Sequence, residues 1–199
     1  TSVDGIRSYI KESEAKFSIT LEPLCNKILQ ATIGTNIKKV ITISPADSLP
    51  VPKRFFFKAN TLLKKGTLKH NQTVLKWAAI MRIHVTGKAI PQPYRKENCC
   101  VIVHAGGTTG LPKGVMLSDD NLNAMVLNAK ASEGGYEPGN RFLNIMPPFI
   151  AYGLVNGIHM ILSCGMENVL IPQFDPNEFD KLILKYKPTH ILGVPTHYS

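Results

Sequence analysis

The 199-residue chain is 44% apolar with a formal net charge of +9, enough apolar material for one packed core or two small ones. No apolar run approaches the roughly 18–20 residues that cross a bilayer, and the start at Thr1 shows neither the basic nor the apolar part of a signal peptide. The charge is local: 11 Lys and Arg and no acidic residue fall between Ser48 and Lys96, while the other 12 basic and 14 acidic residues nearly cancel. Whole-chain pI is therefore no argument for nucleic-acid binding.

Taken in chain order, apolar residues Ile6, Tyr9, Ile10 and Phe17 have near-helical spacing and predict a helix over 4–16 capped by Asp4. Phe17 to Thr20 reads as a short strand, Leu21 to Ala31 as an amphipathic helix, and Lys39 to Ile43 as a buried strand ended by Ser44-Pro45. This alternation predicts an α/β fold of parallel-rich sheets flanked by helices. Residues 1–46 form the end of a first α/β subdomain in this reading. Residues 47–97, bracketed by Pro50, Pro52, Pro91 and Pro93, read as a basic linker or insertion, and residues 98–199 as a second α/β subdomain. In that last stretch Cys100 to His104 is a strand running into a glycine-rich loop, and Ser118 caps a helix over 119–131. Further strands are expected at 141–146, 168–171 and 190–194, with helices at 152–163 and from the Asp175 cap to Tyr186.

Four cysteines (Cys25, Cys99, Cys100 and Cys164) have no CxxC spacing and no His at metal spacing. That pattern predicts reduced thiols in a cytoplasmic protein and no metal site in this stretch.

The chemistry is concentrated in Ala-Gly-Gly-Thr-Thr-Gly-Leu-Pro-Lys-Gly at 105–114. Glycines let backbone N–H groups close around an anion, two threonine hydroxyls add neutral donors, and Lys113 adds a compact positive charge suited to phosphate. A strand before the loop and a helix after it would hold the group rigidly. The spacing is neither Walker A nor GxGxxG. Composition alone leaves a solvated surface turn as the other reading.

The order Gly-Thr-Thr-Gly-x-Pro-Lys-Gly resembles the phosphate-loop signature of the adenylate-forming (AMP-binding) superfamily, which includes acyl-CoA synthetases and long-chain fatty acid:CoA ligases. Leu-Ser-Asp-Asp-Asn-Leu at 117–122 is similar to the start of the helix that follows in that family. Met146, Pro147, Pro148 and Phe149 with Tyr152-Gly153-Leu154 resemble its proline–aromatic segment beside the acyl pocket. Phe174-Asp175-Pro176, Gly193-Val194-Pro195-Thr196 and the early segments at 6–10 and 13–16 also fall in the family's order.

The resemblance implies a middle piece of the large N-terminal domain of an ATP-dependent carboxylic acid:CoA ligase. Such an enzyme forms an acyl-adenylate from its acid, a fatty acid being the preferred expectation, and then a CoA thioester. ATP-phosphate binding would fall to Gly106, Gly107, Thr108, Thr109, Gly110 and Lys113, with Thr108 and Lys113 in the catalytic role. Phe149, Tyr152, Gly193, Pro195 and His197 would line the acid or nucleotide cleft. Mg2+ would be held by ligands outside this stretch, because no Tyr-Gly-x-Thr-Glu segment is present, and the piece alone is expected to be inactive.

Two departures stand out. Ala105 and Gly106 replace the usual hydroxyl residues, and Ile150 stands where many relatives carry His. A non-catalytic, degenerate nucleotide- or membrane-binding module of the same fold is the alternative. The cationic–aromatic stretch 53–65 is the expected place of any peripheral membrane contact.

Overall fold

A computed structural model of the chain describes residues 2–49, 73–83, 90–106 and 113–197. These fall into two compact units, Thr1–Ile90 and Pro91–Ser199. Within the described residues both are α/β.

The first unit begins with the helix Val3–Glu12. Ser2, not Asp4, is its N-cap: the Ser2 hydroxyl accepts the Gly5 N–H at 3.1 Å. Asp4 lies one residue inside the helix, in the first turn, where its carboxylate suits the positive helix end and pairs with Arg7 at 2.6 Å. Arg7 also donates to the Gln30 carbonyl at 2.9 Å, tying this helix to the helix Cys25–Thr32.

Strands β1 (Phe17–Leu21), β2 (Lys39–Ile43) and β3 (Val74–Lys76) pair in parallel in that order. Val40, Thr20 and Thr42 alternate onto a buried face, where Thr42 donates to the Leu75 carbonyl at 3.3 Å. β3 and the short helix Trp77–Ile80 come from residues read in sequence as linker or insertion. A three-residue strand carries too little alternation to be seen without its partner β2.

In the second unit, β4 (Cys99–Ala105) pairs antiparallel with β5 (Lys113–Ser118). The register skips Cys100 (Cys99 opposes Ser118, Val101 opposes Leu117), a bulge that turns the exposed Cys100 out of the alternation. The helix Asp119–Ala131 then starts from a capping box. Ser118 Oγ accepts the Asn121 N–H at 3.2 Å, and Asn121 Oδ1 accepts the Ser118 N–H at 2.9 Å. Ser118→Ala should cost about 1 kcal/mol, read as a lower denaturation midpoint at unchanged slope.

A second, all-parallel sheet has the order β7-β6-β8, from β6 (Arg141–Asn144), β7 (Glu167–Leu170) and β8 (His190–Leu192). Central β6 is buried on both faces, as parallel strands with two covered sides are. Phe142 packs with Val126 of the Asp119–Ala131 helix and with Met160, Ile161, Cys164 and Met166.

The helix between β6 and β7 runs over 151–163, one residue earlier at its start than the predicted 152–163. Its centre, Val155–Met160, is π-helical, flanked by Ala151–Leu154 and Ile161–Ser163. Asp175 accepts the Asn177 N–H at 2.9 Å and caps a single 3-10 turn, Pro176–Glu178, which leads into the helix Phe179–Tyr186. Arg141 closes the amino end of the sheet, pairing with Glu167 at 2.7 Å and donating to the Tyr186 carbonyl at 2.6 Å. No helix among the described residues is long and apolar enough to cross a membrane.

Candidate functional site

The glycine-rich stretch lies in sequence between the antiparallel strands β4 and β5, whose pairs nearest to it are His104 opposite Gly114 and Ala105 opposite Lys113. The helix expected at 119–131 is present but does not follow the loop directly: the unforeseen strand β5 intervenes. At roughly 3.4 Å per strand residue, the helix N-terminus lies about 17 Å along β5 from Lys113. A helix dipole at that distance contributes little, since the effect is confined to the first turn.

Residues 107–112, including Gly107, Thr108, Thr109 and Gly110, lie outside the described residues, as does the basic stretch 53–65. Lys113 is described, exposed, and has no ion pair with a described residue. Gly106 is also described. A Cβ added there meets nothing within 4 Å, so neither packing nor a positive φ accounts for glycine at this position. Gly106→Ser should therefore change stability by no more than about 0.5 kcal/mol, measurable by thermal unfolding.

The second group of candidates lies at the carboxyl ends of the β7-β6-β8 sheet, where open α/β sheets place their ligands. β6 leads through buried Ile145 and Met146 into the turn 147–150. Phe149 on that turn is 80% exposed, with Ile150 and Tyr152 also reaching solvent. β8 leads into Gly193 and the 3-10 turn Pro195–His197. The His197 ring accepts the Val194 N–H on Nδ1 at 3.3 Å, which leaves Nε2 to carry the proton. Its edge packs on Phe174, with ring centroids 5.2 Å apart.

Thus Phe149, Tyr152, Gly193, Pro195 and His197 share one end of one sheet, while Gly106 follows β4 and Lys113 begins β5. The Asp119–Ala131 helix links the two groups, leaving β5 and packing on the 151–163 helix.

The remaining histidines have structural roles where their partners are defined. His190 faces the Gly134 carbonyl at 2.7 Å and Thr189 Oγ1 at 2.8 Å, stacked with Tyr136 and Phe142. His159 meets Asn123 Oδ1 at 3.2 Å. Partial desolvation, reinforced by Asp119, raises the thiol of the otherwise exposed Cys100 above its ordinary range, and burial does the same for Cys25. Both are protonated at neutral pH and weak as nucleophiles or metal ligands. Tyr94 is also raised, because its hydroxyl donates to the Asp120 carboxylate at 2.9 Å. No group of three His, Cys, Asp or Glu among the described residues is placed to hold a metal ion.

Sequence reading passed over Asn144, Asn168 and Gly157, which converge in the core beneath the 147–150 turn. The signal was an Asn inside the otherwise apolar Phe-Leu-Asn-Ile-Met run at 142–146.

The sequence pattern of the AMP-binding enzyme family matches residues 1–199. The chain belongs to that family. Among its relatives, the chain is 31% identical over 193 residues to the long-chain-fatty-acid–CoA ligase of Bacillus subtilis (strain 168), covering 95% of this chain and 34% of that protein. It is 27% identical over 186 residues to 4-coumarate–CoA ligase-like 8 of Arabidopsis thaliana, covering 94% of this chain and 30% of that protein. In fold it is similar to ATP-bound MatB from Rhodopseudomonas palustris, with a TM-score of 0.70 and 20% identity over all of this chain and 33% of MatB. The chain therefore spans about a third of the length of the family members it matches.

Proposed function

We propose that the protein containing this chain is an ATP-dependent carboxylic acid:CoA ligase, and that this chain supplies its phosphate loop and one wall of its acid pocket. The observation that carries this reading is the sequence Gly-Thr-Thr-Gly-Leu-Pro-Lys-Gly placed between the paired strands β4 and β5, with Lys113 making no ion pair with a described residue, in a chain of the AMP-binding enzyme family.

In the first step the acid's carboxylate oxygen bonds to the α-phosphorus of ATP and the bond to the β-phosphate oxygen breaks, releasing pyrophosphate. Negative charge grows on that leaving group. Loop N–H groups, Thr108, Thr109 and Lys113 would hold it, and donors that meet this charge as it develops lower the barrier instead of merely tightening ATP binding. In the second step the CoA sulfur attacks the acyl carbonyl and AMP departs. The Mg2+ ion would be held by residues outside this chain.

An apolar acid of the fatty type fits the exposed Phe149, Ile150 and Tyr152 at the sheet's carboxyl end. The name of the Bacillus relative points the same way, and that of the Arabidopsis relative points to an aromatic acid. Following acyl-CoA and AMP formation by the complete protein with fatty, aryl and short dicarboxylic acids separates these. Turnover confined to fatty acids supports the reading, and turnover confined to aryl or dicarboxylic acids replaces the substrate class.

A further inference from the structure

Asn144 ends the central strand β6 and is only 2% exposed, beside fully buried Phe142 and Leu143. An amide taken out of water at that depth is costly unless its groups are bonded. Its Nδ2 donates to the Gly157 carbonyl at 2.5 Å and its Oδ1 accepts the Met146 N–H at 3.2 Å. From β7, Asn168 Nδ2 donates to the same Gly157 carbonyl at 2.7 Å. The Asn168 Oδ1 is buried with no partner among the described residues, so the polar contribution of that residue is its one donated bond.

A carbonyl oxygen has two lone pairs, and at Gly157 two side-chain amides occupy both. Gly157 lies inside Val155–Met160, the π-helical part of the 151–163 helix. Side chains inserting into a helical hydrogen-bond ladder go with such local irregularities. The glycine is required, because a Cβ there would sit 2.9 Å from both polar atoms of Asn144. One side chain thus joins the strand end, the backbone two residues on, and the middle of the helix. The turn 147–150 and Tyr152 hang between those anchors, and Gly153 presses that helix directly on the Pro147 carbonyl.

We propose that Asn144 is a positioning residue for the carboxylic acid substrate. Through Met146 and Gly157 it sets the distance between the turn carrying Phe149 and the helix carrying Tyr152, and so the width of the acid pocket. The inference rests on the ligase reading and deepens it. Asn168 holds the helix end of this brace but not the Met146 end, so its loss should matter less.

The test is acid-dependent ATP–pyrophosphate exchange by the complete protein, as wild type, Asn144→Ala, Asn144→Ser and Asn168→Ala, with KM measured separately for acid and ATP over a series of acid chain lengths. Displacements of an ångström or less at a binding site cost one to two orders of magnitude, so Asn144→Ala should raise the acid KM about 10-fold and shift the preferred chain length, with the ATP KM changed less than about 2-fold. Asn168→Ala should raise the acid KM by about 2- to 3-fold. Asn144→Ser keeps an acceptor near the Met146 N–H and should recover part of the loss. If Asn144→Ala gives no folded protein, Asn144→Ser decides on the same readout. A uniform fall in kcat with both KM values and the chain-length profile unchanged, or no kinetic change, overturns the inference alone. A wild type without acid-dependent exchange overturns the ligase reading and the inference with it.

Discussion

Lys113→Ala should lower the rate of acid-dependent ATP–pyrophosphate exchange by about 100- to 1000-fold, the usual loss when one fixed transition-state donor is removed. Lys113 is the first residue of β5, and its backbone is held by the pairing with Ala105. Truncating the side chain therefore leaves that pairing in place. The side chain is exposed and makes no ion pair with a described residue, so folding stability should change by no more than about 0.5 kcal/mol. The loss should appear in kcat, with the acid KM little altered, because the charge acts on the departing pyrophosphate. Lys113→Arg should recover only part of the rate, since a planar guanidinium does not reproduce a compact ammonium.

Gly153→Ala should have the largest effect on stability, about 1–3 kcal/mol or more, the range for forcing a methyl into a packed site. A Cβ at this position runs into the Pro147 carbonyl oxygen and lies 2.7 Å from the Pro147 carbonyl carbon and 3.3 Å from the Pro148 nitrogen. All three are backbone atoms of a Pro-Pro pair whose φ angles are fixed, so no rotamer change relieves the clash. Either the helix start or the turn must move. In a chain near 200 residues each kcal/mol lowers the melting temperature by roughly 2–4 °C, well within reach of thermal unfolding by circular dichroism. Because the turn carries Phe149, the acid KM should rise as well.

Much of this arrangement is visible in the sequence where local rules decide it. Ser118 followed by Asp119, Asp120 and Asn121 is a helix start by side-chain chemistry alone, and the helix runs over the predicted residues. Lys39–Ile43 carries four consecutive β-branched residues from Val40 on and is closed by Ser44-Pro45, and it too is a strand as read. What escaped depends on partners distant in sequence. β5 follows a glycine-rich loop, has a glycine at its second position, and leaves Val115 and Met116 exposed. Its pairing with β4 makes it a strand, not its own pattern. The same holds for β3, whose three residues are defined by β2.

The brace at Asn144 is the extreme case, since nothing near residue 144 in sequence announces a bond to residue 157 or a π turn there. The glycine-rich stretch at 105–114 is legible for the opposite reason: binding a phosphate would need specific residue types in consecutive order, so its candidates can be named from the sequence alone.

The most direct test of the central claim is ATP–pyrophosphate exchange by the complete wild-type protein with a panel of carboxylic acids and without CoA. Exchange that depends on the acid, is confined to one acid class, and needs no thiol is the predicted result, because the adenylate forms before CoA takes part. A folded, complete protein that binds ATP and exchanges no pyrophosphate with any acid would contradict the ligase account and leave a nucleotide-binding module without turnover.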